Sequence, residues 1–446
     1  MRPILCLIMA LMAAISATSA SAQSLQKWVT SWTGSVQGPY PIGNPSAQPD
    51  LRFAFPSPET GARDQSFRLI VRPDLWGRQV RLRFSNALGT RAVTFDGIHV
   101  GLQQTAAALV PGSNQPVSVA GESTTAVAPG SSVRSDPVTL PFVHDPATAE
   151  LLGRKLAVSF HVVGESGPMT WHAKALTTSY LTAPGAGAKG ESEDEHAFPF
   201  STASWYFLDA LDMMAPADAR AIVAFGDSIT DGTASTMNGD DRWPDVLARR
   251  LHAVYGNKIA VVNSGIGGNQ VVGPAEHSPQ KPFPGGPSAK DRLDRDVLPL
   301  SGIAAMVWHE GINDFSKNGN APVEAVEAGM KDVVGRIRAK FAGVRIIGAT
   351  LTSVLGSTNA NHGSPEEDAK RKALNEFIRN GGLFDGVADF DAATLDPETG
   401  GMRAEFVPES TTGGPGDKIH PNRVGYLAMG SAIDLNLLAP IPVTRR

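Results

Sequence analysis

The sequence predicts two units in one chain: an antiparallel, sandwich-like β part, then an α/β part whose parallel sheet is covered by helices on both faces. Three observations carry this. From about Gln26 to Tyr206 the apolar residues alternate over short runs. After about Arg220 they form continuous runs of strand length, and between those runs they recur at helical spacing.

Taken in order, residues 1–22 combine Arg2, an apolar stretch from Ile4 to Ile15 and the small residues Ala20-Ser21-Ala22. That is the pattern of an export signal cleaved after Ala22. A membrane anchor needs about 20 apolar residues, more than this stretch supplies. The chain is therefore expected to be secreted or periplasmic, with a β part over residues 23–215 and an α/β part over residues 216–446.

In the β part, period-two alternation marks Phe67–Val71, Val80–Phe84, Val93–Phe95 and Leu156–Phe160, with Gly, Pro, Asn and Ser between them. Ala183–Gly190, followed by Glu191, Glu193, Asp194 and Glu195, reads as an exposed loop before a last strand at Ser204–Leu208. Trp28, Trp32 and Tyr40 suit the interior or an interface better than a sugar-stacking platform.

In the α/β part, Ala221–Phe225, Ile259–Val262, Ile303–Val307 and Val344–Thr350 read as buried strands. Trp243, Val246, Leu247, Leu251 and Val254 form a helical stripe ending at Gly256. Val323 to Phe341 repeats that spacing over a longer helix, and Val424 to Leu438 makes a closing one. The Pro- and Gly-rich segment from Val271 to Asp291 is a long irregular insertion, read equally as the roof of a pocket or as a solvated loop with no substrate role.

Composition narrows the function classes. With 42% hydrophobic and 19% charged residues among 446, the chain is globular rather than disordered. A net charge of −5 gives no basic excess for nucleic acid. The lone cysteine, Cys6, lies in the export segment, which excludes disulfides, cysteine nucleophiles and thiolate metal sites from the exported chain. The histidines lack metal-ligand spacing, so neither metal nor cofactor is expected. No later stretch has 18 uncharged apolar residues, so no stable membrane insertion is expected after cleavage.

In open parallel sheets reactive groups gather beyond the carboxyl ends of the strands. The first strand is followed by Gly226-Asp227-Ser228, the second by Asn263-Ser264-Gly265-Ile266-Gly267-Gly268-Asn269, and the third by Glu310-Gly311-Ile312-Asn313-Asp314. Asp417-Lys418-Ile419-His420 precedes the closing helix. Together these suffice for acyl transfer: Ser228 as nucleophile, His420 as base and Asp417 orienting it. The backbone N–H groups of Ser228 and Gly268 and the Asn313 amide are the candidate oxyanion donors. Gly265 and Gly267 compete with Gly268, which the spacing from Asn263 favours. Asp227 and Asp314 read as structural, and His309 as a hydrogen-bonded packing residue.

The four blocks resemble the SGNH, or GDSL, serine esterase family in content and order, over about residues 220–440. The resemblance implies a flavodoxin-like three-layer fold, a triad of Ser228, Asp417 and His420, and oxyanion donors at Ser228, Gly268 and Asn313. Trp28–Trp32, Leu82–Asn86 and Arg292–Val297 are similar to exported bacterial acylhydrolases of the xylan-cluster type. The expected activity is hydrolysis of carboxylic esters through an acyl-serine, on small-molecule or glycan esters and foremost on acetyl groups of carbohydrate. A lipase, lysophospholipase or arylesterase acting on longer or aromatic esters is the alternative, and a non-catalytic glycan-binding protein is the reading from another class. Neutral His420 is required as base, so activity should fall at acid pH.

Overall fold

The computed structural model describes residues 26–438, so the expected export segment at residues 1–22 lies outside the described residues. The apolar faces of the strands meet between two sheets, and the strands Arg63–Val71, Leu156–Glu165 and Leu208–Pro216 are buried on both faces along most of their length. Its long strands are β1 (Gln26–Thr33), β2 (Arg63–Val71), β3 (Gln79–Ser85), β4 (Val93–Thr105), β5 (Leu156–Glu165) and β6 (Leu208–Pro216). In one sheet β6 lies antiparallel between β1 and β3; in the other β5 lies antiparallel between β2 and β4. Phe84 of β3 joins the two, its ring 5.4 Å from Phe95 of β4 and 5.3 Å from Phe160 of β5.

Of the aromatics near the amino end, Trp28 is half-buried under the Arg81 guanidinium, 4.5 Å from its ring, while Trp32 and Tyr40 pack inward. Trp32 meets Trp205 edge-on at 4.8 Å, and Tyr40 meets Trp171 at 4.9 Å. The last strand differs from the one expected at Ser204–Leu208. Phe207 takes a left-handed conformation (φ 58°) that breaks the run, and the strand proper is β6.

The parallel sheet holds β7 (Arg220–Gly226), β8 (Ile259–Gly265), β9 (Ile303–His309), β10 (Arg345–Ala349) and β11 (Gly386–Ala388). Their order is β8-β7-β9-β10-β11, the flavodoxin-like arrangement, whose crevice opens beyond the carboxyl ends where β7 and β9 lie side by side. Around it run α1 (Ser228–Asp231), α2 (Trp243–Tyr255), α3 (Ala289–Asp296), α4 (Val323–Lys340), α5 (Pro365–Asn380), α6 (Phe390–Thr394) and α7 (Arg423–Ala432).

Three helical expectations need correction. The closing helix stops at Ala432 and a separate 3-10 turn, Leu435–Leu437, follows with Asp434 as its cap. Val424 and Leu427 face solvent, because the buried face of α7 is made by Gly425, Tyr426, Met429 and Gly430. Val254 at the end of α2 is also exposed. Helix α5 was not expected: its buried face mixes Leu374 and Ile378 with Asp368 and Arg371, an ion pair that hides the apolar period.

The two parts share one cluster of buried apolar side chains. Backbone contacts stitch them together: Thr30 N–H donates to the Ser301 carbonyl at 2.9 Å, and the Thr33 hydroxyl to the Asn263 carbonyl at 2.8 Å. Among the described residues no helix is long and apolar enough to cross a membrane. Phe160 is fully buried where both sheets meet, so Phe160→Ala should lower the unfolding free energy by about 3–5 kcal/mol. Chemical denaturation would measure this, and a loss under about 1 kcal/mol would mean the sheets do not depend on that contact.

Candidate active site

The carboxyl end of β7 is forced into a tight turn. A Cβ on Gly226 would lie 2.1 Å from the His309 carbonyl oxygen of β9, so only glycine allows the two strand ends to approach. The chain then enters α1 with Asp227 as its cap, the carboxylate accepting the Ile229 N–H at 2.9 Å. Asp227 therefore does the capping, and Ser228 is the first helical residue, its hydroxyl at the edge of a cavity.

The Ser228 hydroxyl donates to His420 Nε2 at 2.7 Å, and His420 Nδ1–H donates to Asp417 Oδ2 at 2.6 Å. The other oxygen of Asp417 accepts the backbone N–H groups of Ile419 and His420 at 2.9 and 3.0 Å. Burial pushes the Asp417 carboxyl up, but the hydrogen bond and charge of His420 and these N–H groups outweigh it. The group is held well below the usual carboxylate range.

Gly268 follows β8 in a left-handed turn (φ 80°), and Asn313 lies in the 3-10 turn Ile312–Asp314 beyond β9. Both line the same cavity as Ser228 and His420. Among the described residues the N–H groups of Ser228 and Gly268 have no hydrogen-bond acceptor. The Asn313 amide spends one N–H on the Asn269 carbonyl at 2.9 Å, which leaves the other free. All five predicted site residues are thus brought to one place: Ser228, Gly268, Asn313, Asp417 and His420.

Asn269 is fixed by Arg292, whose Nε donates to its side-chain oxygen at 2.7 Å. The same guanidinium donates to the Ser264 carbonyl at 2.8 Å and the Gly226 carbonyl at 3.0 Å, and it lies 3.9 Å over the Phe225 ring. Asp296 and Glu310 stand 3.3 and 3.4 Å from it. Burial pushes the Glu310 carboxyl up to about 8, despite Arg292.

Asp314 accepts the N–H groups of Val271 and Val272 at 2.7 and 3.0 Å, pinning the start of the insertion. Phe283, Pro284 and Gly285 of that insertion wall the cavity. His309 packs 5.2 Å from the Phe390 ring with both ring nitrogens unpartnered, rather than hydrogen-bonded as expected, and burial lowers it to about 3.

The cavity measures about 380 Å³. Part of its wall comes from residues that no sequence motif marks. Asn44 and Lys174 belong to the β part, and His362 precedes α5. Lys174 was hidden because its neighbours in sequence carry no motif. His362, five residues before Glu367, had only that local His–carboxylate spacing as a signal. Among the described residues no group of three or more His, Cys, Asp or Glu side chains is placed to hold a metal.

Residues 224–428, just under half of the chain, match the family model described as GDSL-like lipase/acylhydrolase. That segment is similar to GDSL-like lipases and acylhydrolases. The match supports carboxylic ester hydrolysis by this part of the chain. A search of curated proteins found no match. Solved structures similar to this chain include Est24, a carbohydrate acetylesterase from Sinorhizobium meliloti, at 14% identity and TM-score 0.36, covering 48% of this chain and 95% of that one. A carbohydrate acetylesterase family member from the same organism has 18% identity and TM-score 0.37, covering 49% and 99%. The inhibitor-bound M. smegmatis aryl esterase has 16% identity and TM-score 0.36, covering 48% and 96%.

Glu310 sets a pH test of the site's framework. Its folded-state pKa lies above the unfolded value of about 4.3, so the folded protein holds the proton more tightly. The resulting stabilisation is full at low pH and is lost as pH rises towards about 8. Glu310→Gln cannot ionise, so the melting temperature of the variant should rise relative to wild type between about pH 6 and pH 9. Parallel melting curves across that range would show that Glu310 does not titrate there.

Proposed function

We propose that the protein is an exported serine esterase that removes small acyl groups, foremost acetyl, from hydroxylated substrates of the carbohydrate class. The observation that carries the reaction is the Ser228–His420–Asp417 hydrogen-bond chain, at 2.7 and 2.6 Å, opening on a cavity with unpaired N–H donors. Export rests on the amino-terminal pattern of residues 1–22.

His420 Nε2 takes the Ser228 proton as Oγ attacks the ester carbonyl carbon, and Asp417 stabilises the imidazolium that forms. The carbonyl oxygen, now negative, accepts from the N–H groups of Ser228 and Gly268 and from Asn313 Nδ2. His420 returns the proton to the departing alkoxide, releasing the alcohol and leaving acyl-Ser228. Water, deprotonated by His420, then attacks the acyl carbon, and the acid leaves as Ser228 recovers its proton.

The wall of the cavity supports the substrate class. Amides and hydroxyls from Asn44, Gln270, Ser316, Asn318, Asn359 and Asn361 outnumber its apolar side chains, Phe283, Pro284 and Ile419. Such a surface pairs with sugar hydroxyls and gives little to a long alkyl chain.

The test is the hydrolysis profile of p-nitrophenyl esters from acetate to decanoate, followed by acetylated sugars. Acetate should be preferred, and a maximum at octanoate or longer would move the reading to lipid esters. Ser228→Ala should reduce kcat by more than about 10³-fold; a smaller loss would remove Ser228 as nucleophile. Asn313→Ala should cost about 10²–10³ in kcat with little change in KM.

A further inference from the structure

The cavity wall is uneven in charge. Among the described residues lining it is Lys174, while no Asp or Glu side chain does so. Lys174 is 4% exposed and reaches in from the β part. Its ammonium has three N–H groups, and among the described residues it donates only to the Thr233 hydroxyl.

Lys174 stands against the turn that carries Gly268. A Cβ on Gly267 would be 3.0 Å from Lys174 Nζ, and one on Gly268 would be 2.8 Å from Asn44 Nδ2. The Asn44 amide donates to the Gly267 carbonyl at 3.0 Å. On another wall, Glu367 holds His362 Nδ1 at 2.5 Å, and His362 Nε2 has no partner among the described residues.

We infer that Lys174, with Asn44 beside it, forms an anion subsite, so that the preferred substrate is an ester whose non-reacting part carries a carboxylate. This rests on the reading of the cavity as the ester site. A lysine buried this deeply costs free energy that its hydroxyl contact alone does not offset. Burial lowers its pKa, while the charges of Asp231, Asp417 and Glu409 oppose that shift. These acids lie outside the cavity lining. They favour the ammonium form from behind and leave its free N–H groups for a carboxylate in front.

The carboxylate can belong to the acid or to the alcohol of the ester, and two substrate pairs separate these sources. The acyl pair is mono-p-nitrophenyl succinate against p-nitrophenyl pentanoate. The alcohol pair is acetylated glucuronate against its methyl ester. In at least one pair the carboxylate member should have about tenfold higher kcat/KM, carried by KM, and Lys174→Met should bring that ratio to about one. Lys174→Arg, which keeps the charge, should restore part of the ratio. No carboxylate preference in either pair, or a ratio unchanged by Lys174→Met, would overturn the subsite.

Calorimetry reads the subsite without chemistry. Sodium glucuronate or sodium succinate titrated into the Ser228→Ala protein should show saturable binding, and heat from neither would overturn the inference. Turnover by Ser228→Ala, in contrast, would sink the nucleophile assignment and leave the binding result to stand on its own.

Discussion

The site depends on one buried guanidinium. Arg292 joins carbonyls at the carboxyl ends of β7 and β8 and, through the Asn269 side chain, the turn beyond Gly268. The Asn269 carbonyl then takes one N–H of Asn313, so a donor beyond β9 is set by a cation on α3. Oriented dipoles help a reaction most when they need no reorganisation as charge develops. A buried charge is tolerated here because its N–H groups are matched by fixed acceptors, with Asp296 beside it. Burial lifts Glu310 to about 8, so at neutral pH the second carboxyl adds little negative charge.

The β part belongs to the same construction. Asp231 at the end of α1 accepts the Gly267 N–H at 3.0 Å, and its other oxygen lies 3.1 Å from His172 Nε2. His172 Nδ1–H donates to the Ser35 carbonyl at 2.7 Å. Burial pushes this imidazole down, but the charge and hydrogen bond of Asp231, with the carbonyls of Ser35 and Lys174, outweigh it and raise it. An imidazolium facing oxygens on both nitrogens is thus held between the two parts. Because Asn44 and Lys174 also reach the turn from the β side, that part is a wall of the cavity as well as a support.

How much could be read without coordinates follows from how local each signal is. Ser228, Gly268 and Asn313 each follow a continuous apolar strand, and Asp417 and His420 lie three residues apart in one loop, so short windows expose them. Lys174 and Asn44 reach the cavity only through the pairing of distant strands, and nothing in their neighbourhood marks them. Helix α5 escaped because Asp368 and Arg371 are buried as a pair, which removes the apolar period used to find helices. The reverse error affected α7, where Val424 and Leu427 are apolar but exposed, and two glycines make the buried face.

The acids around Ser228 also show why Asp417, rather than a nearer neighbour in sequence, suits the role of orienting His420. Asp227 and Asp314 are buried where hydrogen bonds from backbone N–H groups only partly offset the loss of water, and both are pushed up to about 7. A carboxyl that keeps its proton near neutrality cannot stabilise a neighbouring imidazolium. Asp417 is a third exposed at its side chain and accepts two N–H groups besides the His420 ring, so it stays ionised when the ring gains a proton. Sequence spacing already assigns Asp417 to His420 and reads Asp227 and Asp314 as structural; burial and donor count supply the physical reason for that division.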